Sequence, residues 1–205
     1  MAKFELLRYV ELSLNFDETL NKNILPMAKF ELLRYNYKST LGQEYVYMKV
    51  KKTNAARILD NLKISYEIKE YEVDLDDLSA VHVAASTGMD VKMVFKTLVC
   101  RGDKTGVLMA CIPGDGELDF KALAKLSGNK SVEMVALKEV LGLTGYVRGG
   151  CSPLGAKKNY PVYLDESSGN YPAIAISAGI RGQQLILSPD DLVQAVKATV
   201  GKVIR

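Results

Sequence analysis

The stretch "MVFKTLVCRGDKTGVLMACIP", Met93–Pro113, decides how the chain is read. Two runs of branched and aliphatic residues flank a polar segment with Gly102-Asp103 at its start, the pattern of two strands joined by a short turn. Along the first run Val94, Lys96 and Leu98 share one side, and Phe95, Thr97 and Val99 take the other. Lys96 is the odd residue. An ammonium among apolar neighbours costs desolvation unless it reaches water or an anion. Local pattern alone admits both a solvent-facing strand lysine and an anion anchor inside a cleft.

Elements to either side follow from spacing and caps. Thr53 can cap a helix with Ala55, Ile58, Leu59 and Leu62 on its apolar face. Ile64–Ile68 alternates as a half-buried strand, and Tyr71 and Val73 then fall on the opposite parity. Asp77 is read as the cap of a helix carrying Leu78, Val81 and Ala85 and stopped by Gly88. Beyond the hairpin, Asp119 opens a helix with Phe120, Leu123 and Ala124, ended by Gly128. Pro161–Asp165, Pro172–Ser177 and "QLILS" read as strands, and Ser188 with Pro189 and Asp191 starts a final helix. Strands interleaved with helices, several hairpin-linked, predict a mixed, mainly antiparallel α+β domain. No Rossmann or P-loop glycine motif is present.

Composition narrows the function. The 205 residues are 48% hydrophobic and 25% charged, ordinary for a soluble globular chain. A net charge of +3 permits a nucleic-acid partner without arguing for one. Cys100, Cys111 and Cys151 are odd in number and widely spaced, which argues for reduced thiols. With His82 the one histidine and no cysteine pair, no metal site is expected. No apolar run approaches the roughly 18 residues of a membrane span. A cytoplasmic location and no membrane partner are expected.

The segment "MAKFELLRY" occurs at Met1–Tyr9 and again at Met27–Tyr35, a copied stretch rather than a repeat array. Residues 1–47 are therefore set aside as a tag, cloning remnant or mis-set start in preference to a native extension, and the domain is taken as 48–205.

The second chemical candidate is "GYVRGGCSPLGAKK", Gly145–Lys158. Its glycines permit turns and close approach, and several N–H groups could face a carbonyl or anionic oxygen. Cys151 and Ser152 invite reading as nucleophiles, yet the pattern is not G-x-S-x-G, and nothing marks His82 as their base. Asp74, Asp76 and Asp77 lead into a helix start, where acids favour the dipole, so capping explains them better than a metal.

Taken in order, "YEVD", "VFKTLV", "GELDFKALAKLSGNKSVEM", "TGYVRGGCSPLGAKK" and "ISAGIRGQQLIL" resemble the YbaK/ProX family, free-standing relatives of the editing domain of bacterial prolyl-tRNA synthetase. The resemblance runs from about Lys51 to the C-terminus. It implies an α+β fold with a barrel-like sheet core and surrounding helices, and a hydrolase acting on mischarged aminoacyl-tRNA, without a cofactor and without DNA as a partner. Prolyl-tRNA synthetase is a possible protein partner. On this resemblance Lys96 matches an essential lysine holding the tRNA 3′ end through phosphate, and Thr97 its polar neighbour. Tyr71 matches a pocket tyrosine. Gly149, Gly150, Ser152 and Pro153 belong to the substrate loop, with Gly150 offering backbone contact near the aminoacyl carbonyl. Ser177 matches a pocket serine, and Arg181 lies in the same turn. Relatives often carry an aliphatic residue at the position of Cys151, which weighs against a required nucleophile there.

The resemblance implies cysteine removal from Cys-tRNA(Pro), with the substrate's own thiol attacking its carbonyl. Ala-tRNA(Pro) hydrolysis by a positioned water, and a non-catalytic tRNA- or synthetase-binding module, are the alternatives. Lys51, Lys52, Arg148, Lys157 and Lys158 can be read as phosphate contacts or as solubility features.

Overall fold

The computed structural model describes the backbone of residues 32–39 and 42–49 and residues 52–205 in full. The chain divides into two compact units, Met1–Lys51 and Lys52–Arg205. In the first, β1 (Leu32–Ser39) and β2 (Gly42–Lys49) form an antiparallel hairpin, with Leu32 opposite Lys49 and Ser39 opposite Gly42. The first copy of the duplicated segment lies outside the described residues.

The second unit runs α1 (Asn54–Leu62), β3 (Glu67–Glu70), α2 (Ala80–Thr87), β4 (Phe95–Gly102), β5 (Gly106–Pro113), α3 (Phe120–Leu126), β6 (Val132–Met134), α4 (Leu137–Thr144), β7 (Val162–Asp165), β8 (Ile174–Ser177), β9 (Gln183–Leu187), α5 (Pro189–Val196) and β10 (Thr199–Gly201). Single 3-10 turns stand at Val91–Met93 and Glu166–Asn170. One sheet has the order β10-β7-β5-β4-β6, and a second has β3-β9-β8. The β4–β5, β4–β6, β3–β9 and β8–β9 pairs are antiparallel, whereas β5–β7 and β7–β10 are parallel. The fold is thus mixed α+β as expected. Within this unit the strands form two open sheets rather than a closed barrel, which corrects the barrel-like expectation.

The hairpin stands as read, and the larger sheet is buried on both faces. Met109 and Cys111 of β5 pack with Phe95, Val162, Leu164, Ile174, Ile176 and Leu185 between the sheets, where α1 and α5 also bury Leu59 and Leu192. The alternate residues Leu108, Ala110 and Ile112 pack beneath Leu123 and Ala124 of α3. Each fully buried Leu, Ile, Val, Met or Phe side chain among these contributes roughly 1.5–3 kcal/mol. Covering both faces explains why β5 is apolar at nearly every position rather than alternating.

β6 pairs with β4 only at Cys100–Gly102, so the Val94–Val99 edge of β4 is left to other partners. One is a parallel bridge from Val94 to Ala175, where the two sheets meet. The candidate site opens along this edge.

Two readings are corrected. The cap of α2 is Ser79, whose Oγ accepts the His82 N–H, while Asp77 accepts the Ser79 N–H one turn earlier. Val81 is accordingly exposed, and Val83, Ala84 and Thr87 form the buried face. In α1 the buried set is Ala55, Ala56 and Leu59, with Leu62 exposed.

Candidate active site

Lys96 leaves β4 and its Nζ donates to the Gly114 carbonyl at 2.9 Å. Partial burial holds this ammonium below the ordinary lysine pKa, while the carboxylates of Asp115 and Glu117 work in the opposite direction. The cation is therefore less solvated than a surface lysine and has only a neutral carbonyl as its hydrogen-bond partner. That suits an anion arriving from outside.

A cavity of about 520 Å³ follows the edge of β4. Among the residues read from sequence it brings together Lys96, Thr97, Gly149 and Ser177. Thr97 Oγ1 lies 3.7 Å from Cys111 Sγ. Ser177 ends β8, and its Oγ accepts the Gly179 N–H. Leu78, Val83, Phe95 and Val140 supply apolar wall, and Arg148 adds a second cation.

Arg148 and Cys151, also read from sequence, line it too, whereas Tyr71, Gly150, Ser152, Pro153 and Arg181 do not. Tyr71 packs with Val83, Val94 and Ala175, and its N–H donates to the Gly182 carbonyl. Gly150 is buried behind the wall, where its N–H donates to Val147 in a turn. Gly149, at φ +81°, is the glycine on the cavity side, in a conformation that side-chain-bearing residues rarely adopt. Ser152 is fully buried, and its Oγ accepts the Leu154 N–H. Pro153 is buried next to it. Arg181 reaches the loop rather than the cavity, its Nε donating to the Arg148 carbonyl at 2.9 Å.

Two residues escaped sequence reading, one on the cavity wall and one beneath the loop. Gln184 is 4% exposed, lines the cavity, and its side-chain amide has no hydrogen-bond partner among the described residues. The amide opens on the cavity, where a ligand is its natural partner. The signal was present in the parity of β9, where Leu185 and Leu187 face the core and Gln184 pairs with Ser177. Tyr146 is the second. It is buried at the root of the glycine-rich loop, its hydroxyl donates to the Leu154 carbonyl, and its N–H donates to Thr144 Oγ1. Burial, helped by the nearby Cys151, raises the phenol to about 12, so it stays a donor.

Enzyme nucleophiles are poorly served. Burial pushes the Cys151 thiol up to about 11, and its Sγ sits 3.7 Å from the Val147 carbonyl. The His82 ring lies 3.3 Å from Ser86 Oγ and does not line the cavity. Among the described residues no cluster of three His, Cys, Asp or Glu side chains is placed to hold a metal ion. No helix among them is long and apolar enough to cross a membrane.

Of the proposed phosphate contacts, Lys51 lies outside the described residues, and Lys52 pairs with Asp60 at 2.9 Å. Lys157 Nζ donates to the carbonyls of Leu141 and Gly142 at the end of α4. Lys158 is exposed, and Arg148 stands on the cavity wall.

Comparison with known proteins bears on this arrangement. Residues 77–195 match the model of the aminoacyl-tRNA editing domain. The chain is 52% identical over 139 residues to a protein of Enterococcus faecalis named "Putative Cys-tRNA(Pro)/Cys-tRNA(Cys) deacylase EbsC", covering 68% of this chain and 85% of that one. A proline–tRNA ligase of Thermosipho africanus is 36% identical over 76 residues, 37% of this chain and 13% of the ligase. Among solved structures, one described as "a putative trans-editing enzyme for prolyl tRNA synthetase" superposes with a TM-score of 0.61 at 26% identity, covering 68% of this chain and 87% of that one. With the model matched across the hairpin, the glycine-rich loop and β9, the chain belongs to the aminoacyl-tRNA editing domain family.

Proposed function

We propose that the protein is a cytoplasmic trans-editing hydrolase that removes cysteine from mischarged Cys-tRNA(Pro). The family places its chemistry in aminoacyl-tRNA deacylation, and the name of the Enterococcus relative supports cysteine as the acyl group. One observation carries the mechanism: the cavity holds cations and polar groups but no paired nucleophile and base.

The substrate supplies what the wall lacks. Its cysteinyl thiol gives up a proton, sulfur bonds to the ester carbonyl carbon, and the carbon–oxygen bond to the ribose breaks. The ribose oxygen takes a proton, and water then opens the four-membered thiolactone to free cysteine. The protein's share is orientation and charge stabilisation. Lys96 holds the anionic 3′ end of the tRNA. Thr97, Ser177 and Gln184 offer hydrogen bonds to the acyl group, and Gly149 lets the loop backbone approach.

Release of labelled amino acid from Cys-tRNA(Pro) and Ala-tRNA(Pro) tests this. Lys96→Ala is expected to lower kcat/KM on Cys-tRNA(Pro) by about 100-fold, the scale of losing a charge-assisted contact in a partly desolvated site. Faster release of alanine than of cysteine would transfer the reading to a water-based alanyl deacylase. No release of either would leave a binding module.

A further inference from the structure

A second cavity, of about 370 Å³, shares Lys96, Leu98 and Met134 with the first. Its remaining wall includes Ile112 of β5, Leu118, and Phe120 at the first turn of α3. Arg205 and Glu117 complete the wall, and their side chains pair at 3.6 Å. Nothing in the ester chemistry uses this space.

Its chemistry is specific. The walls are mainly aliphatic with one aromatic ring, the charges besides Lys96 are the mutually paired Glu117 and Arg205, and Lys96 stands where the two cavities join. Such a site takes a flat, uncharged group that is tethered to an anion. It must also be short enough in reach to leave the acyl group in the neighbouring cavity. A nucleobase meets each condition, since every base has a π face that stacks on aromatic side chains, and its phosphate seeks a cation. The 3′-terminal nucleotide of an aminoacyl-tRNA carries base, acyl ester and 5′ phosphate on one ribose. The volume lies at the small end of ligand sites, about 300–1,000 Å³, and so suits one base rather than a stack of several.

We propose that the cavity bounded by Leu98, Ile112, Leu118, Phe120 and Met134 receives the 3′-terminal base of the aminoacyl-tRNA while the acyl group fills the cavity along β4. This rests on the deacylase reading above and adds to it. Lys96 then stands at the ribose-phosphate junction between the two, and Phe120 is the stacking surface.

The test pairs a variant with a substrate change. Phe120→Leu keeps an apolar side chain and removes the π face. On intact Cys-tRNA(Pro) its kcat/KM is expected to fall about fivefold or more, within the range of one base–aromatic stack. On the same tRNA with an abasic terminal nucleotide, Phe120→Leu and the unaltered protein are expected to be equal. Independently, 5′-AMP titrated into the unaltered chain should shift the methyl resonances of Ile112 and Leu118, and bind more weakly to Phe120→Leu. An equal loss on both tRNAs, no loss on either, or unmoved Ile112 and Leu118 methyls overturns the base site. If AMP moves those methyls but neither Cys-tRNA(Pro) nor Ala-tRNA(Pro) is hydrolysed, the base site stands and the deacylase reading fails.

Discussion

Gln184 separates activity from stability within one side chain. It lines the cavity beside Ser177 and Thr97, and its amide opens on that space rather than on the core. Gln184→Leu should leave the melting temperature within about 2 °C while lowering kcat/KM about tenfold. Parallel thermal melts and deacylation assays check both. A purely structural glutamine would lose stability and keep its activity. Cys151 makes the opposite case. Its thiol, pushed up to about 11 by burial, holds almost no thiolate at neutral pH. Cys151→Ala should stay within about threefold of the unaltered rate on the proposed route, in which the attacking sulfur is the substrate's. A fall to background in the same assay would return the nucleophile to the protein.

Among the elements, the glycine-rich loop holds its shape through bonds its own sequence does not advertise. Tyr146 ties Leu154 to the end of α4, Asn54 Nδ2 donates to the Gly155 carbonyl, and Arg181 fastens Arg148. Tyr146→Phe removes one of these bonds at a net cost of about 0.5–1.5 kcal/mol. The expected result is a melting temperature lower by about 2–4 °C, with KM raised more than kcat is lowered, as steady-state kinetics would show. The turn residues and the caps Thr53, Asp119 and Ser188 were legible because each acts within a few residues. Helix α4 was not. Its N-terminal flank, Ala136, makes no side-chain cap, and Leu137 and Leu141 face outward, which blurs the apolar stripe. Strands β6 and β10, three residues each, are defined by their neighbours rather than by any period of their own.

For the chain as a unit, the β4–β5 and β8–β9 pairs follow from the sequence because each is local, while the pairing of β3 with β9 joins residues over a hundred positions apart. The same separation explains the partial reading of the site. Lys96, Gly149 and Ser177 stand out singly, but only the folded sheets show that Gln184 joins them and that Arg181 works through the loop. Residues 1–47 are proposed to contribute nothing to catalysis. A protein beginning at Met48 should match the full chain in melting temperature and in deacylation rate, and a loss of either would make the N-terminal segment part of the enzyme.

The cavity lies where the two sheets meet at the Val94–Ala175 bridge, with Lys96 and Thr97 from one and Ser177 and Gln184 from the other. Anything that fills it touches both, so occupancy and the cohesion of the sheets are thermodynamically linked. Reciprocity then gives Ala175 a part in substrate affinity: a residue that lines no wall of the cavity still sets how firmly its two halves are held together.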